Sequence, residues 1–454
     1  MPNRQNQFKK LLKLITDERL RKSSVKRNAG DLLGATESDK GRVVNSASFR
    51  RLQHKAQVFP LDPNAAVRTR LTHSIEVSQI GRFLAQKVIE KCGVEKVSYK
   101  QLAAFANVVE TACLLHDIGN PPFGHLGESA IKEWASSKNS LNLLGDFESF
   151  DGNPQGLRLM SFLAGYDEFG LNLTDALLLS TIKYPWSVET QPIDKQRKKI
   201  GIYTQDYKNY KRCCKAVGWS KGKVFPVTRL MEAADDIAYS MSDLEDGIEK
   251  GIISIDDLAE HFKEFVPSKD EAEERGISSK ERFITFKTEI IRESVDEAAG
   301  IFVDNLKEVL AGGGGDLISD ENKMGGVVKK IKRYARKYIY SDSSAEHIEL
   351  AGRSVIKGLL KHFERLLDSQ KISAELFEAL IERDMGRVHQ EAENFDFEVR
   401  LLGLLPKSYC DHYKMNKRGH ESIRRHHLIV DFIAGMTDNY ALETFQMLEG
   451  IRVN

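Results

Sequence analysis

The stretch Leu115-His116-Asp117-Ile118-Gly119-Asn120-Pro121-Pro122-Phe123-Gly124-His125-Leu126-Gly127-Glu128 decides how this chain reads. An apolar run of helical period over residues 102–115 leads into it and ends in adjacent His and Asp. The Gly and Pro residues that follow cannot continue a helix. A second His and a Glu then stand at the mouth of the next helical pattern. A buried helix thus delivers four side chains able to bind metal or move protons to one small volume. Charge beside an apolar core is costly unless it is paired or ligates a metal. The bland alternative is a helix end followed by a loop histidine.

Working outward, residues 67–92 carry a helical apolar period at Leu71, Ile75, Ile80, Phe83, Leu84 and Val88. On that helix Arg70 and His73 are three apart and share a face. Residues 227–250 are strongly helical, and there Asp235, Tyr239 and Asp243 recur every four residues along one face. Two carboxylates and a phenol, with Ala233, Ala234, Ile237 and Ala238 nearby, make an odd core face and an odd solvent face. Asp235 is preferred to Asp236 because it is the one in register with Tyr239 and Asp243. His73, His116, Asp117 and Asp235 together offer imidazole and carboxylate ligands. Such a set suits Mn, Fe, Co, Ni, Zn or Mg in an octahedral site with positions open for water.

The 454 residues, 41% hydrophobic and 29% charged, make a globular chain with room for one large or two to three ordinary domains. A formal net charge of +1 gives no global field for nucleic acid or membrane. The five cysteines include no C-x-x-C pair, so free thiols in a reducing compartment are expected and a Cys-based zinc site is not. No signal-peptide pattern and no apolar run of bilayer length is visible, so the expected location is cytoplasmic, with no membrane partner.

Helical patterns recur at residues 7–20, 153–163, 173–182, 255–310, 328–404 and 423–451, and alternating strand patterns are few. The expected class is all-α, with at most a short β-hairpin in residues 198–225. Residues 21–39 read as a surface loop and residues 187–222 as polar, basic and poorly periodic. The four glycines from Gly312 to Gly315 read as a mobile turn. They lack the Gly-Lys-Ser/Thr continuation of a phosphate-binding P-loop.

The order His73, His116-Asp117, Asp235 resembles the H…HD…D signature of HD-domain phosphohydrolases. The likeness is closer than that. Phe49-Arg50-Arg51-Leu52-Gln53-His54-Lys55-Ala56-Gln57-Val58, Arg68-Thr69-Arg70-Leu71-Thr72-His73-Ser74, the 116–128 stretch and Glu232-Ala233-Ala234-Asp235-Asp236-Ile237-Ala238-Tyr239 look like bacterial deoxyguanosine triphosphate triphosphohydrolases and related dNTPases. So do Phe150-Asp151-Gly152-Asn153-Pro154-Gln155-Gly156-Leu157-Arg158 and Asp431-Phe432-Ile433-Ala434-Gly435-Met436-Thr437-Asp438. These motifs span most of the chain.

The resemblance implies an HD-domain helical fold with helical insertions and a C-terminal helical extension. The expected division is an N-terminal helix and sugar-side loop over 1–65, an HD core over 66–250, and a C-terminal helical region over 251–454, all forming one continuous unit. The implied reaction is dGTP, or a wider set of dNTPs, plus water giving deoxynucleoside and inorganic triphosphate. A divalent metal, Mn2+ or Mg2+, would sit on His73, His116, Asp117 and Asp235, acidify water and polarise the α-phosphate. His125 and Glu128, three apart, are the proton-transfer candidates, since a carboxylate beside an imidazole raises its pKa and fixes its tautomer. Whether His125 protonates the 5′-oxygen or activates the nucleophile is open at this stage. Arg70 and Lys183 match phosphate contacts of the family, and Gln57 and Val58 match its sugar-side loop. Tyr239 and Asp243 fit sugar recognition, the phenol where a 2′-OH would clash and the carboxylate on the 3′-OH. The family also implies a homo-oligomer, hexamer or tetramer.

Two other functions compete. A phosphodiesterase or guanosine tetraphosphate hydrolase of the HD type shares the metal set but has no need of Tyr239, Asp243 or Gln57. A nucleic-acid-binding regulator with a nucleotide-sensing site would use the basic runs at Arg50-Arg51, at Lys195 with Arg197-Lys198-Lys199, at Lys329-Lys330 with Lys332-Arg333, and at Arg424-Arg425. Charge runs are usually solvated faces, and the near-zero net charge weighs against it. Single-stranded DNA stays on the list of partners as an added property.

Overall fold

Residues 103–115 are apolar nearly all round, which leaves that segment no place but the centre of a helical core. The computed structural model puts it there; it describes residues 2–23, 30–93, 95–138, 145–192, 199–389, 394–417 and 419–452. The site is positioned by α1 (Leu32–Val44), α2 (Arg70–Cys92), α3 (Tyr99–Leu115), α4 (Gly124–Lys138), α5 (Pro226–Glu249), α6 (Ser279–Asp304), α7 (Lys323–Tyr338), α8 (Ser343–Phe363), α9 (Glu421–Ala434) and α10 (Asp438–Leu448). Every residue of α3 from Ala104 to Leu115 is buried. Around it pack α1, α2 and α5, and α6 closes the outer side of α2. A second layer forms where α8 packs on α4, α9 and α10.

The buried apolar side chains fall into two clusters. The first joins Phe8 and Leu11 to α2, α3, α5 and α6, and includes Leu115 and Ile118. The second gathers α4, α8 and α9 and includes Phe123. The turn from Ile118 to Phe123 therefore crosses from one cluster to the other. Its path is tight. A Cβ at Gly119 would stand 2.1 Å from both Gly152 O and Gly156 N, so only glycine lets this turn lie on the helix Gly152–Arg158.

The chain is all-α, as its periodicity predicts. Among the described residues the only extended pairings are the isolated bridges Arg19–Thr174 and Ala56–Thr69. Residues 199–225 hold no hairpin; residue 198 lies outside the described residues. They hold instead a helix over Tyr207–Val217, which buries Tyr210, Cys213, Cys214 and Val217. That face has helical spacing once thiols count as small apolar groups. The loop expected over 21–39 gives way to α1 at Leu32 for the opposite reason. Two of its four buried residues, Thr36 and Asp39, are polar. Asn107 donates to Thr36 Oγ1 at 3.3 Å, and Arg19 pairs with Asp39 at 2.5 Å. Hydrophobic period cannot see a helix docked this way. The N-terminal helix is also displaced, to Pro2–Lys13.

One buried polar knot ties α9 to the core. Arg158 Nε donates to Asp431 Oδ1 and Oδ2 at 2.9 and 2.8 Å, and Gln155 donates to Oδ1 at 3.0 Å. Asp206 stands 3.4 Å from Arg158 on the other side. Removing one partner of a buried ion pair costs far more than the pair contributes, because it leaves the other charge buried. Asp431→Ala is expected to destabilise the fold by roughly 3–5 kcal/mol, read from denaturant unfolding. A loss below about 1 kcal/mol would mean that Asp206 alone balances Arg158.

Candidate active site

Local structure aims each side chain. Thr69 caps α2 through a reciprocal box with Thr72, which fixes Arg70 and His73 in the first turn. His116 ends α3, and its Nδ1 stands 2.7 Å from Cys113 O. A carbonyl only accepts, so the proton sits on Nδ1 and, in the neutral ring, Nε2 keeps its lone pair. Asp235 comes from the middle of α5. Its Oδ1 lies 3.3 Å from His73 Nε2 and 3.4 Å from His116 Nε2. Asp117 Oδ1 lies 3.5 Å from His116 Nε2.

Each of the two carboxylates faces an imidazole with one oxygen and a cation with the other. Asp117 Oδ2 accepts from Arg70 Nη1 at 2.5 Å, and Asp235 Oδ2 from Lys183 Nζ at 3.2 Å. The charges shift accordingly. Burial pushes both carboxyls up, but His116 with Arg70 at Asp117, and His116 with Lys183 at Asp235, hold them below the usual carboxylate range. Burial pushes His116 down, and Asp117 and Asp235 overcome it, so its pKa is raised. Lys183 is raised in the same way, burial being outweighed by Asp235.

His73, His116 and Asp235 each offer a ligand atom within 4.8 Å of the others. His116 Nε2 and His73 Nδ1 are buried without a hydrogen-bond partner. Donor atoms on neighbouring positions around a metal with bonds of about 2.0–2.2 Å stand roughly 3 Å apart, and the separations here are slightly wider. The donor set and the unpaired His116 Nε2 fit a divalent cation. Asp117 is outside the tight cluster of three but borders it.

A cavity of about 520 Å3 opens over this cluster. Gln57, Val58, Arg70, His116, Asp117, His125, Glu128, Lys183, Asp235 and Tyr239 all line it. His73 and Asp243 do not: His73 is the wholly buried member of the cluster, and Asp243 is buried as well. The His125 side chain is 88% exposed while Glu128 is buried. Their contact, Nδ1 to Oε2, is 3.4 Å, and the Gly152 N–H donates to Glu128 Oε1 at 3.0 Å. Burial raises the Glu128 carboxyl, but its bonds to His125 and Gly152 bring it below its usual value.

The sequence reading missed Lys199, Lys332, Arg336 and Tyr340, which also line the cavity. The signal was present, since Lys332, Arg336 and Tyr340 recur every four residues. Lys332 had been counted in a nucleic-acid-type basic run. It pairs with Asp236, as does Lys329 at 3.4 Å. Arg425 is fully buried, which removes it from any nucleic-acid surface. Lys195, Arg197 and Lys198 lie outside the described residues. A larger cavity, of about 720 Å3, is lined by Arg21, Arg42, Arg50 and Arg51 among others and by none of the predicted site residues.

The Tyr340 hydroxyl donates to Asp243 Oδ2 and stands 2.5 Å from the Tyr239 hydroxyl. Burial drives the Asp243 carboxyl up to about 8, against the Tyr340 bond that lowers it. A carboxyl raised in the native state keeps a proton that the unfolded chain has already released. Stability therefore falls as pH rises from about 4 towards 8. Asp243→Asn carries no such charge, so its melting temperature relative to the unmodified protein is expected to climb between pH 5 and pH 9. A difference that stays flat over that range would show that native Asp243 is ionised throughout.

Comparison with known proteins agrees with this geometry. Residues 70–153 match the HD domain, and residues 395–447 match the Phosphohydrolase-associated domain. The chain is 34% identical to the Deoxyguanosinetriphosphate triphosphohydrolase of Klebsiella pneumoniae subsp. pneumoniae, over 93% of this chain and 95% of that one. It is 34% identical to the Deoxyguanosinetriphosphate triphosphohydrolase-like protein of Listeria innocua, over 97% and 99%. The same identity relates it to the Probable deoxyguanosinetriphosphate triphosphohydrolase of Pseudomonas aeruginosa, over 93% and 94%. On the strength of these full-length matches and of the His-His-Asp cluster inside the HD fold, the chain belongs to the deoxyguanosinetriphosphate triphosphohydrolase family of divalent-metal-dependent HD-domain phosphohydrolases.

Proposed function

We propose that this protein hydrolyses dGTP, and other dNTPs as the wider class, to deoxynucleoside and inorganic triphosphate. The observation that carries the reading is one cavity joining a metal-type cluster to a wall of cations: Arg70, Lys183, Lys199, Lys332 and Arg336. His73, His116, Asp117 and Asp235 would hold a divalent cation, Mn2+ or Mg2+ on this reading, which when bound would acidify water and polarise the α-phosphate. Arg70 and Lys183 stand one on each side of the cluster and neutralise the phosphates. His125 transfers a proton at the 5′-oxygen or at the attacking water, and buried Glu128 orients its ring. Gln57 and Val58 border the sugar. Tyr239 stands against the 2′ carbon. The 3′-OH takes the place of the Tyr340 hydroxyl on Asp243, whose Oδ1 is buried and unpaired.

The segments 1–65, 66–250 and 251–454 act as one unit on this reading. In support, the first apolar cluster draws on all three, through Phe8 and Val58, through Leu115, and through Val295 and Phe302. The protein works in the cytoplasm as a homo-oligomer, a hexamer or tetramer. Among the described residues no helix is long and apolar enough to cross a membrane. Single-stranded DNA, as an added partner, has less support than the sequence offered, because Arg425 is buried and Lys329 and Lys332 are paired.

A metal-supplemented assay of all four dNTPs, resolving triphosphate from diphosphate, tests the reaction. Deoxyguanosine with intact triphosphate is expected. Diphosphate release, or turnover confined to cyclic or 3′-phosphate nucleotides, would point to a different phosphohydrolase. His116→Ala and Asp117→Ala are expected to lose metal and activity together; full metal content in an inactive variant would remove that residue from the ligand set. His125→Ala should keep metal and substrate affinity while its rate falls by about 10²–10⁴. Weaker binding with an unchanged single-turnover rate would contradict that role. Tyr239→Ala should relax the preference for dGTP over GTP while Asp243→Ala should not. Equal relaxation by both, or none by Tyr239→Ala, would assign sugar reading to another element.

A further inference from the structure

Asp438 is the first residue of α10, yet it does not cap that helix; Thr437 does, accepting from Tyr440 N. The Asp438 carboxylate turns back into the core and is buried. Its Oδ1 accepts from Phe123 N at 2.9 Å and its Oδ2 from Ala56 N at 2.9 Å. Phe123 lies two residues before His125, and Ala56 lies directly before Gln57. One carboxylate thus holds the main chain of two walls of the cavity, reached across 315 and 382 residues of sequence.

Both segments need holding. Phe123 has φ +58°, a left-handed conformation that costs a non-glycine residue about 1–2 kcal/mol. It persists only where its surroundings over-determine it. The Phe123 ring helps: it lies so close to Gly352 that a Cβ there would meet it at 2.3 Å. The 55–58 loop has no helix or sheet of its own beyond the bridge from Ala56 to Thr69. Buried Lys55 repeats the tie one residue earlier. Its Nζ donates to Asn120 O at 2.5 Å and to Ala434 O at 2.9 Å. Its carbonyl accepts from Arg70 N at 2.9 Å. The loop between α9 and α10, inside the phosphohydrolase-associated region, is thereby bonded to the His125 turn, to the sugar-side loop and, through Lys55, to the start of α2.

We propose that Asp438 is a positioning residue: it sets the His125 turn against the Gln57–Val58 loop, so that the C-terminal helix pair governs the rate of the chemistry. The inference rests on the reaction proposed above. A purely structural carboxylate would satisfy two buried N–H groups and affect stability alone. A positioning one fixes a distance within the site, and a misplacement of about 1 Å there can cost on the order of 10²-fold in rate.

Asp438→Asn tests this. The amide keeps one acceptor and sets an NH2 group against the second N–H, so one of the two segments is released. Expected is a fall in kcat for dGTP of about 10–100-fold at a temperature where the variant is folded, with metal content unchanged. Thr444→Ala, in the same helix and away from the cavity, is the control and should keep its kcat at whatever stability it loses. A kcat for Asp438→Asn within about twofold of the unmodified enzyme would overturn the proposal. So would an equal fall in the Thr444→Ala control. Amide hydrogen exchange of the unmodified enzyme adds a measurement that needs no folded variant. The Phe123 and Ala56 amides should exchange slowly, and fast exchange at either would show that the clamp is not made. Absence of dNTP turnover by the unmodified enzyme would instead refute the proposed reaction, while the exchange measurement would still judge the clamp.

Discussion

His73 and His116 bring their rings to 5.3 Å centroid to centroid at the end of a helix that is buried from Ala104 to Leu115. A buried imidazole nitrogen with no hydrogen-bond partner is costly, and His116 Nε2 is such an atom. The rest of the site follows from that burden. Asp117 and Asp235 bring negative charge to the imidazoles, and Arg70 and Lys183 balance the outer oxygens of those carboxylates. The two cations are therefore fixed before any phosphate arrives. On the proposed phosphate-binding role of Arg70 and Lys183, an incoming triphosphate would meet guanidinium and ammonium groups already oriented and would compete with carboxylates for them rather than order free side chains.

The turn that carries this chemistry is held by packing rather than by regular structure. It begins in one apolar cluster at Ile118 and ends in the other at Phe123. Gly119 admits no side chain, and Phe123 takes a conformation that most residues avoid. Neither feature would survive if the two clusters could slide, so a rigid core is a condition of the site's geometry. The C-terminal helices belong to the catalytic architecture in that sense, although they contribute no predicted catalytic or ligand side chain.

Much of this was legible in the chain. Adjacent His and Asp after an apolar helix, and a four-residue repeat of Asp235, Tyr239 and Asp243, each reflect helix geometry, which is local. The structure brings ten of the predicted residues to one cavity, some of them read from helical faces and others, such as Gln57, Val58 and Lys183, from the family resemblance alone. What stayed hidden depends on distant partners. Lys332 and Arg336 carry the same period, but charge alone does not say whether a helix face meets solvent or a cavity. Asp243 lies on the expected stripe, yet Tyr340, almost a hundred residues on, decides what its carboxylate touches. Helix α1 docks through Asp39 and Thr36, so no apolar pattern announced it.

The contrast between His125 and Glu128 has a kinetic meaning. The imidazole stands almost fully in solvent while its carboxylate partner is buried. On the proposed proton-transfer role of His125, a ring so placed is reached from bulk water with no opening of the protein. The same exposure leaves the resting ring hydrated. If His125 transfers the proton, as proposed, substrate must strip that water before the imidazole acts, and the bound nucleotide would itself complete the dry environment of the transfer.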